Sequence, residues 1–140
     1  MFEISALLDR YLIGLDDGAI NEAWARDLFT EDARVEFPMS RHTGLDGLDI
    51  YHRDALGAFA STQHLGSPAI VDRDGDLAVL RANLISTHVH HPGAVGDSLF
   101  QVGTLVTGEA RRTAEGWRLA VLSFRVLWTR GAPSRAQEPR

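Results

Sequence analysis

The chain has 140 residues, 44% of them hydrophobic and 24% charged, with a net charge of −5. That is the size of one domain with a real core, and the acidic balance argues against a general nucleic-acid binder. It has no cysteine, and all fourteen of its basic residues are arginine, which excludes disulfides, thiolate chemistry, Cys-ligated metals, Schiff-base lysines and the P-loop.

Phe2, Leu7, Leu8, Tyr11, Leu12 and Leu15 recur at helical spacing and predict an amphipathic helix over about the first fifteen residues. Asp16-Asp17-Gly18 ends it. A shorter helix is expected over 20–29, with Asp17 or Gly18 near its N-cap and Trp24, Leu28 and Phe29 as its buried stripe. Residues 33–38 alternate apolar and polar up to Pro38 and read as a strand. A third helix is expected over 44–62, carrying Leu45, Leu48, Tyr51, Ala55, Leu56 and Phe59 and weakened by Gly47 and Gly57.

Beyond it the apolar period changes from helical to two. Asp72–Asp76 reads as a hairpin turn of the Asp-Gly type. Long strands follow over 77–91, 98–113 and 116–129, the last two joined by a second hairpin at 113–116. Three helices, one early strand and about four antiparallel strands make an α+β fold: a strongly curved, mostly antiparallel sheet with helices on one face and a pocket between. Residues 1–130 form a single domain, and 131–140 read as a disordered tail. No apolar run reaches the ~20 residues of a membrane helix. The first residues lack the features of a signal peptide, so the expected location is cytoplasmic, with no membrane partner.

Three of the six histidines fall in Ser86-Thr87-His88-Val89-His90-His91. His88 and His90 share a strand face, so a metal clamp is one reading. Pro92 and Gly93 follow at once, no histidine comes after His91, and the expected metal set is none. Pro92 ends the strand, which would leave His90 and His91 at a solvent-exposed rim.

The order of elements, together with Asp16-Asp17, Thr62-Gln63-His64, Asp74-Gly75-Asp76, the histidine cluster and Gly116-Trp117-Arg118, resembles the nuclear-transport-factor-2-like superfamily. Its SnoaL-like branch, which includes scytalone dehydratase, looks closest, and the resemblance runs from about residue 5 to residue 130. It implies a cone-shaped fold and a cofactor-free site in which His64 is the general base, Asp16 its orienting partner and His88 a second histidine. Tyr11 falls where related bile-acid dehydratases carry a catalytic tyrosine, and His88 or Tyr11 is expected to polarise a carbonyl or act as the acid for the departing oxygen. Arg125 lies near an arginine of those enzymes and on the concave face would bind an anionic group; alternation puts it on the face opposite Phe124 and Trp128. Phe37, Phe59, Leu84 and Phe124 are expected to enclose the substrate.

The tyrosine that precedes the family's aspartate is Leu15 here, and another is Phe37. These departures weigh against scytalone itself as substrate. The implied activity is dehydration, isomerisation or cyclisation of a small, largely apolar, polyketide-like compound by a homodimer or homotrimer. Three rivals are a non-catalytic ligand-binding or dimerisation module, a metal enzyme using the histidine cluster, and the small subunit of a ring dioxygenase.

Overall fold

The computed structural model describes residues 2–93 and 96–133. Helix α1 spans Phe2–Asp17 and buries Ile4, Leu7, Leu8, Tyr11, Leu12 and Leu15 along one stripe. Phe2 lies outside that stripe and is exposed; Ile4 takes the buried position instead. Gly18, at φ of 77°, stops the helix in a conformation that side chains disfavour.

Helix α2 (Glu22–Leu28) starts later than expected. Its N-cap is Asn21, whose side chain accepts from the Trp24 backbone N–H at 2.8 Å. Asp17 caps nothing here: its carboxylate accepts from the Ala19 N–H in a local turn at 3.0 Å. Phe29, expected on the helix, is the first residue of strand β1 (Phe29–Phe37). Strand β2 (Ser40–Thr43), which the sequence did not announce, pairs antiparallel with β1.

Helix α3 is only Leu48–Leu56, well short of 44–62. Gly44 and Gly47 hold positive φ, which no helix accommodates, and Gly57 closes the helix. Ser61 and Thr62 leave the helical stretch because their backbones pair with Val89 and His88, opening strand β3 (Ser61–Gly66). Strands β4 (Ile70–Asp74) and β5 (Leu77–Val89) form the expected hairpin, turning at Gly75 and Asp76. Strands β6 (Leu99–Thr113) and β7 (Gly116–Arg130) form the second hairpin.

The sheet order is β2-β1-β7-β6-β5-β3, with β4 on β5. Among the described residues only β1 and β7 run parallel, so the α+β class and the mostly antiparallel sheet stand. The inner face of β5 shows why the helices pack where they do. Ala78, Leu80, Ala82, Leu84 and Ser86 are buried while their neighbours are exposed. The four apolar ones join Leu8, Tyr11, Leu48, Leu119 and Leu122 in one core. Each large apolar side chain so buried contributes about 1.5–3 kcal/mol.

Strand β7 carries two bulges. Its pairing with β6 skips Ala120 and Leu127, and each extra residue exchanges the faces of the residues after it. Among the described residues no helix is long and apolar enough to cross a membrane. Of the expected tail, residues 134–140 lie outside the described residues. Residues 131–133 are placed against the fold, with the Ala132 carbonyl accepting from His90 Nε2 at 2.8 Å.

Candidate active site

Asp16 sits at the C-terminal end of α1, where the helix meets β3. Three donors from β3 hold its carboxylate: the Thr62 hydroxyl at 2.9 Å, the His64 backbone N–H at 2.7 Å and His64 Nδ1 at 2.6 Å. Thr62 and His64 are two residues apart and share one strand face, which is why a single carboxylate reaches both. A carboxylate accepts, so Nδ1 carries the ring proton. The neutral ring therefore keeps an unshared pair on Nε2. The His64 side chain is 7% exposed, and it lines an apolar cavity of about 460 Å³. A histidine whose tautomer is fixed by a carboxylate in this way has the geometry a general base needs.

His88 lines the same cavity. Its ring lies 6.0 Å from that of His64, nearly perpendicular to it. Nδ1 donates to the Phe100 carbonyl at 3.0 Å, and Phe59 and Phe100 pack against the ring at 4.5 and 5.3 Å. Burial pushes its pKa below the ordinary histidine value, and the neighbouring imidazoles of His64 and His90 push the same way. A neutral ring with Nδ1–H committed to a carbonyl offers only an acceptor at Nε2. His88 thus departs from the expected acid role.

Tyr11 departs as well. Its hydroxyl lies 2.9 Å from His52 Nε2, while His52 Nδ1 lies 2.8 Å from the Leu48 carbonyl. The carbonyl accepts, so Nδ1 is protonated and Nε2 accepts from the tyrosine O–H. The hydroxyl hydrogen is spent inside the protein. Tyr11 is 0% exposed and His52 1%, and the pair lines the floor of the cavity with the tyrosine hydrogen committed to His52. Desolvation raises the Tyr11 pKa far above its usual value, and it holds His52 down at about 4. His52 is the residue that sequence reading missed. It lies four positions after Leu48, on the apolar stripe of α3, where a lone histidine looks like packing.

The other expected residues divide. Phe37, Leu84 and Phe124 line the cavity, with Phe37 and Phe124 stacked at 4.7 Å. Phe59 stands behind His88 instead of lining the space. Arg125 is exposed and lies on the outer face of β7, paired with Leu105, so it cannot meet a ligand in the cavity. Trp128, expected on the face of Phe124, is carried to the outer face by the Leu127 bulge and lies over Gly103.

His90 is buried, not solvent-exposed, because its ring turns inward to the Ala132 carbonyl. Asp16 lies on the Nδ1 side of His64, away from the unshared pair. Among the described residues no group of three His, Asp or Glu side chains is placed to hold a metal ion.

A family model described as a SnoaL-like domain matches residues 2–123. The chain belongs to the SnoaL-like family. No curated protein matches this SnoaL-like chain. Among solved structures, the Kfla4162 protein of Kribbella flavida is 25% identical, with a TM-score of 0.82 over 89% of this chain and 88% of its own. A candidate scytalone dehydratase from Novosphingobium aromaticivorans is 19% identical, with a TM-score of 0.78 over 98% and 93%. The LinA-type3 hexachlorocyclohexane dehydrochlorinase of Novosphingobium barchaimii is 18% identical, with a TM-score of 0.76 over 91% and 86%. The likeness to these last two is one of fold. A nuclear-transport-factor-2-like protein of Salmonella enterica, 17% identical, shares the fold at a TM-score of 0.76 over 89% of this chain and 88% of its own.

Proposed function

We propose that this SnoaL-like protein is a cofactor-independent proton-transfer enzyme, a dehydratase or a related isomerase or cyclase acting on a small, neutral, largely apolar ring compound. One observation carries the reading: His64 Nδ1 is bonded to Asp16 at 2.6 Å while Nε2 is left for an apolar cavity. In a dehydration, Nε2 takes a proton from the carbon beside a carbonyl, and the resulting imidazolium is stabilised by Asp16. The electron pair of that C–H bond becomes the new C=C bond as the C–O bond breaks. The imidazolium then hands its proton to the departing oxygen, which leaves as water. Isomerisation uses the same base and returns the proton to another carbon.

Such acid–base assistance is worth roughly 10²–10⁴-fold. Ser86 and Thr104 put hydroxyls on the cavity wall that can donate to a carbonyl oxygen. The fold shared with a candidate scytalone dehydratase and a dehydrochlorinase supports elimination as the first reaction to try.

The test uses 4,6-dihydroxy-2-tetralone, which keeps its phenol and yields fluorescent naphthalene-2,6-diol on losing water. The diol should form faster than in buffer with the wild-type protein and at the buffer rate with His64→Gln. Tight binding of the tetralone with no product, and no exchange of its α-hydrogens in D2O, would favour the rival reading of a ligand-binding module.

A further inference from the structure

The two histidine nitrogens left for the cavity are both acceptors, beside the hydroxyls of Ser86 and Thr104, which can donate or accept. His64 presents Nε2 as a base, and His88 presents Nε2 as an acceptor, because each Nδ1–H is spent on Asp16 or on the Phe100 carbonyl. Among the described residues the lining contains no arginine, aspartate or glutamate, and the chain has no lysine. Arg125, the cation expected to meet an anionic group, is on the opposite face of the sheet. An anion entering this space would find no counter-charge and would face two nitrogen lone pairs. A ligand with acceptors alone would cover His88 Nε2 without pairing it, which costs more than the bond itself contributes.

The His88 ring is also fixed. Phe59 and Phe100 hold its faces, and the Phe100 carbonyl holds its edge. It cannot turn Nδ1–H towards the cavity without losing that bond. With the ring centres of His64 and His88 6.0 Å apart, one small ring system can span both.

We infer that His88 is a specificity-determining residue that reads a hydroxyl hydrogen, so that the substrate is an uncharged ring compound presenting a retained alcohol or phenol to His88 while a C–H of the same ring system faces His64. This rests on the cavity's being the substrate site proposed above, and it adds the class of substrate and the atom that selects it.

Three bicyclic probes test it by titration calorimetry: 2-naphthol, a neutral donor; 2-methoxynaphthalene, the same frame with the donor capped; and 2-naphthoate, an anion. The wild-type protein is expected to bind 2-naphthol about tenfold more tightly than the ether, and 2-naphthoate most weakly. His88→Phe keeps the aromatic stack and removes Nε2, and it should bring the two neutral probes within twofold of each other. Arg125→Ala should leave all three affinities unchanged.

Equal binding of naphthol and ether by the wild type, tightest binding of naphthoate, an undiminished preference in a folded His88→Phe variant, or no binding of any probe would overturn the inference. The wild-type comparison decides alone if that variant does not fold. A naphthol preference without turnover of 4,6-dihydroxy-2-tetralone, which retains a phenol, contradicts the enzyme reading and leaves the hydroxyl reading standing. Turnover without the preference does the reverse.

Discussion

Asp16 has two duties that a single substitution separates. Its carboxylate orients His64, and it also ties the end of α1 to β3 through Thr62 and the His64 backbone. Asp16→Asn places an amide N–H among three donors, so at least one bond is lost. Thermal or urea unfolding should show a loss of about 1–3 kcal/mol. Proton-transfer activity should fall much further, roughly 10²-fold, because His64 no longer holds the required tautomer. If activity falls only in step with the folded fraction, the orienting role is wrong.

His52 yields a prediction about acid. Its folded pKa of about 4 lies below the ordinary 6.5, so between these values the unfolded chain binds more protons than the folded one. Stability therefore rises with pH through this window. The neutral histidine's contribution is fully present above about pH 6.5 and is lost as pH falls towards 4. The loss is on the order of 3 kcal/mol. Urea midpoints measured across that range should drop for the wild type and stay flatter for His52→Phe. Parallel curves for the two proteins would contradict the buried, neutral state of this ring.

At the scale of elements, the amphipathic stripe of α1, the two hairpins and the long strands β5, β6 and β7 were all legible, because their period and turn residues agree locally. The misses come from partners far along the chain. Thr62 sits at the end of a helical pattern, but the ladder with β5 and the bond to Asp16 claim it for a strand. Phe29 is drawn into β1 by its pairing with β7. The bulges at Ala120 and Leu127 are invisible to alternation, and the second of them sent Trp128 to the wrong face.

In the site, the family resemblance located His64, Asp16 and His88. It could not supply the hydrogen-bond directions, which depend on two backbone carbonyls, Leu48 and Phe100. One close approach between elements is open to test. A side chain at Gly14 would overlap the Trp24 indole where α2 crosses α1. Trp24 is itself packed on Tyr11 at 5.7 Å and His52 at 5.3 Å. Gly14→Ala is expected to destabilise by about 1–3 kcal/mol despite alanine's better helix propensity. Gly103→Ala, whose Trp128 neighbour is 45% exposed and free to swing aside, should cost less. Equal melting-temperature losses would show that the α1–α2 contact is not the rigid one.

For the molecule as a whole, helices and sheet enclose a cavity on one face of the sheet and leave the charged groups outside it. The dyad at the junction of α1 and β3 faces that cavity, and the aromatic floor of Tyr11 and His52 closes it from below. Everything proposed about function requires that His64 Nε2 remove a proton from carbon. The direct measurement is solvent deuterium incorporation at the α-carbons of 6-hydroxy-2-tetralone, followed by NMR in D2O with wild-type protein and with His64→Gln under the same buffer. Exchange well above the buffer rate, reduced roughly 10²-fold or more in the variant, is the expected result. Exchange that is no faster than buffer although the ketone binds, or that is equally fast in the variant, would contradict the assignment of His64 as the base.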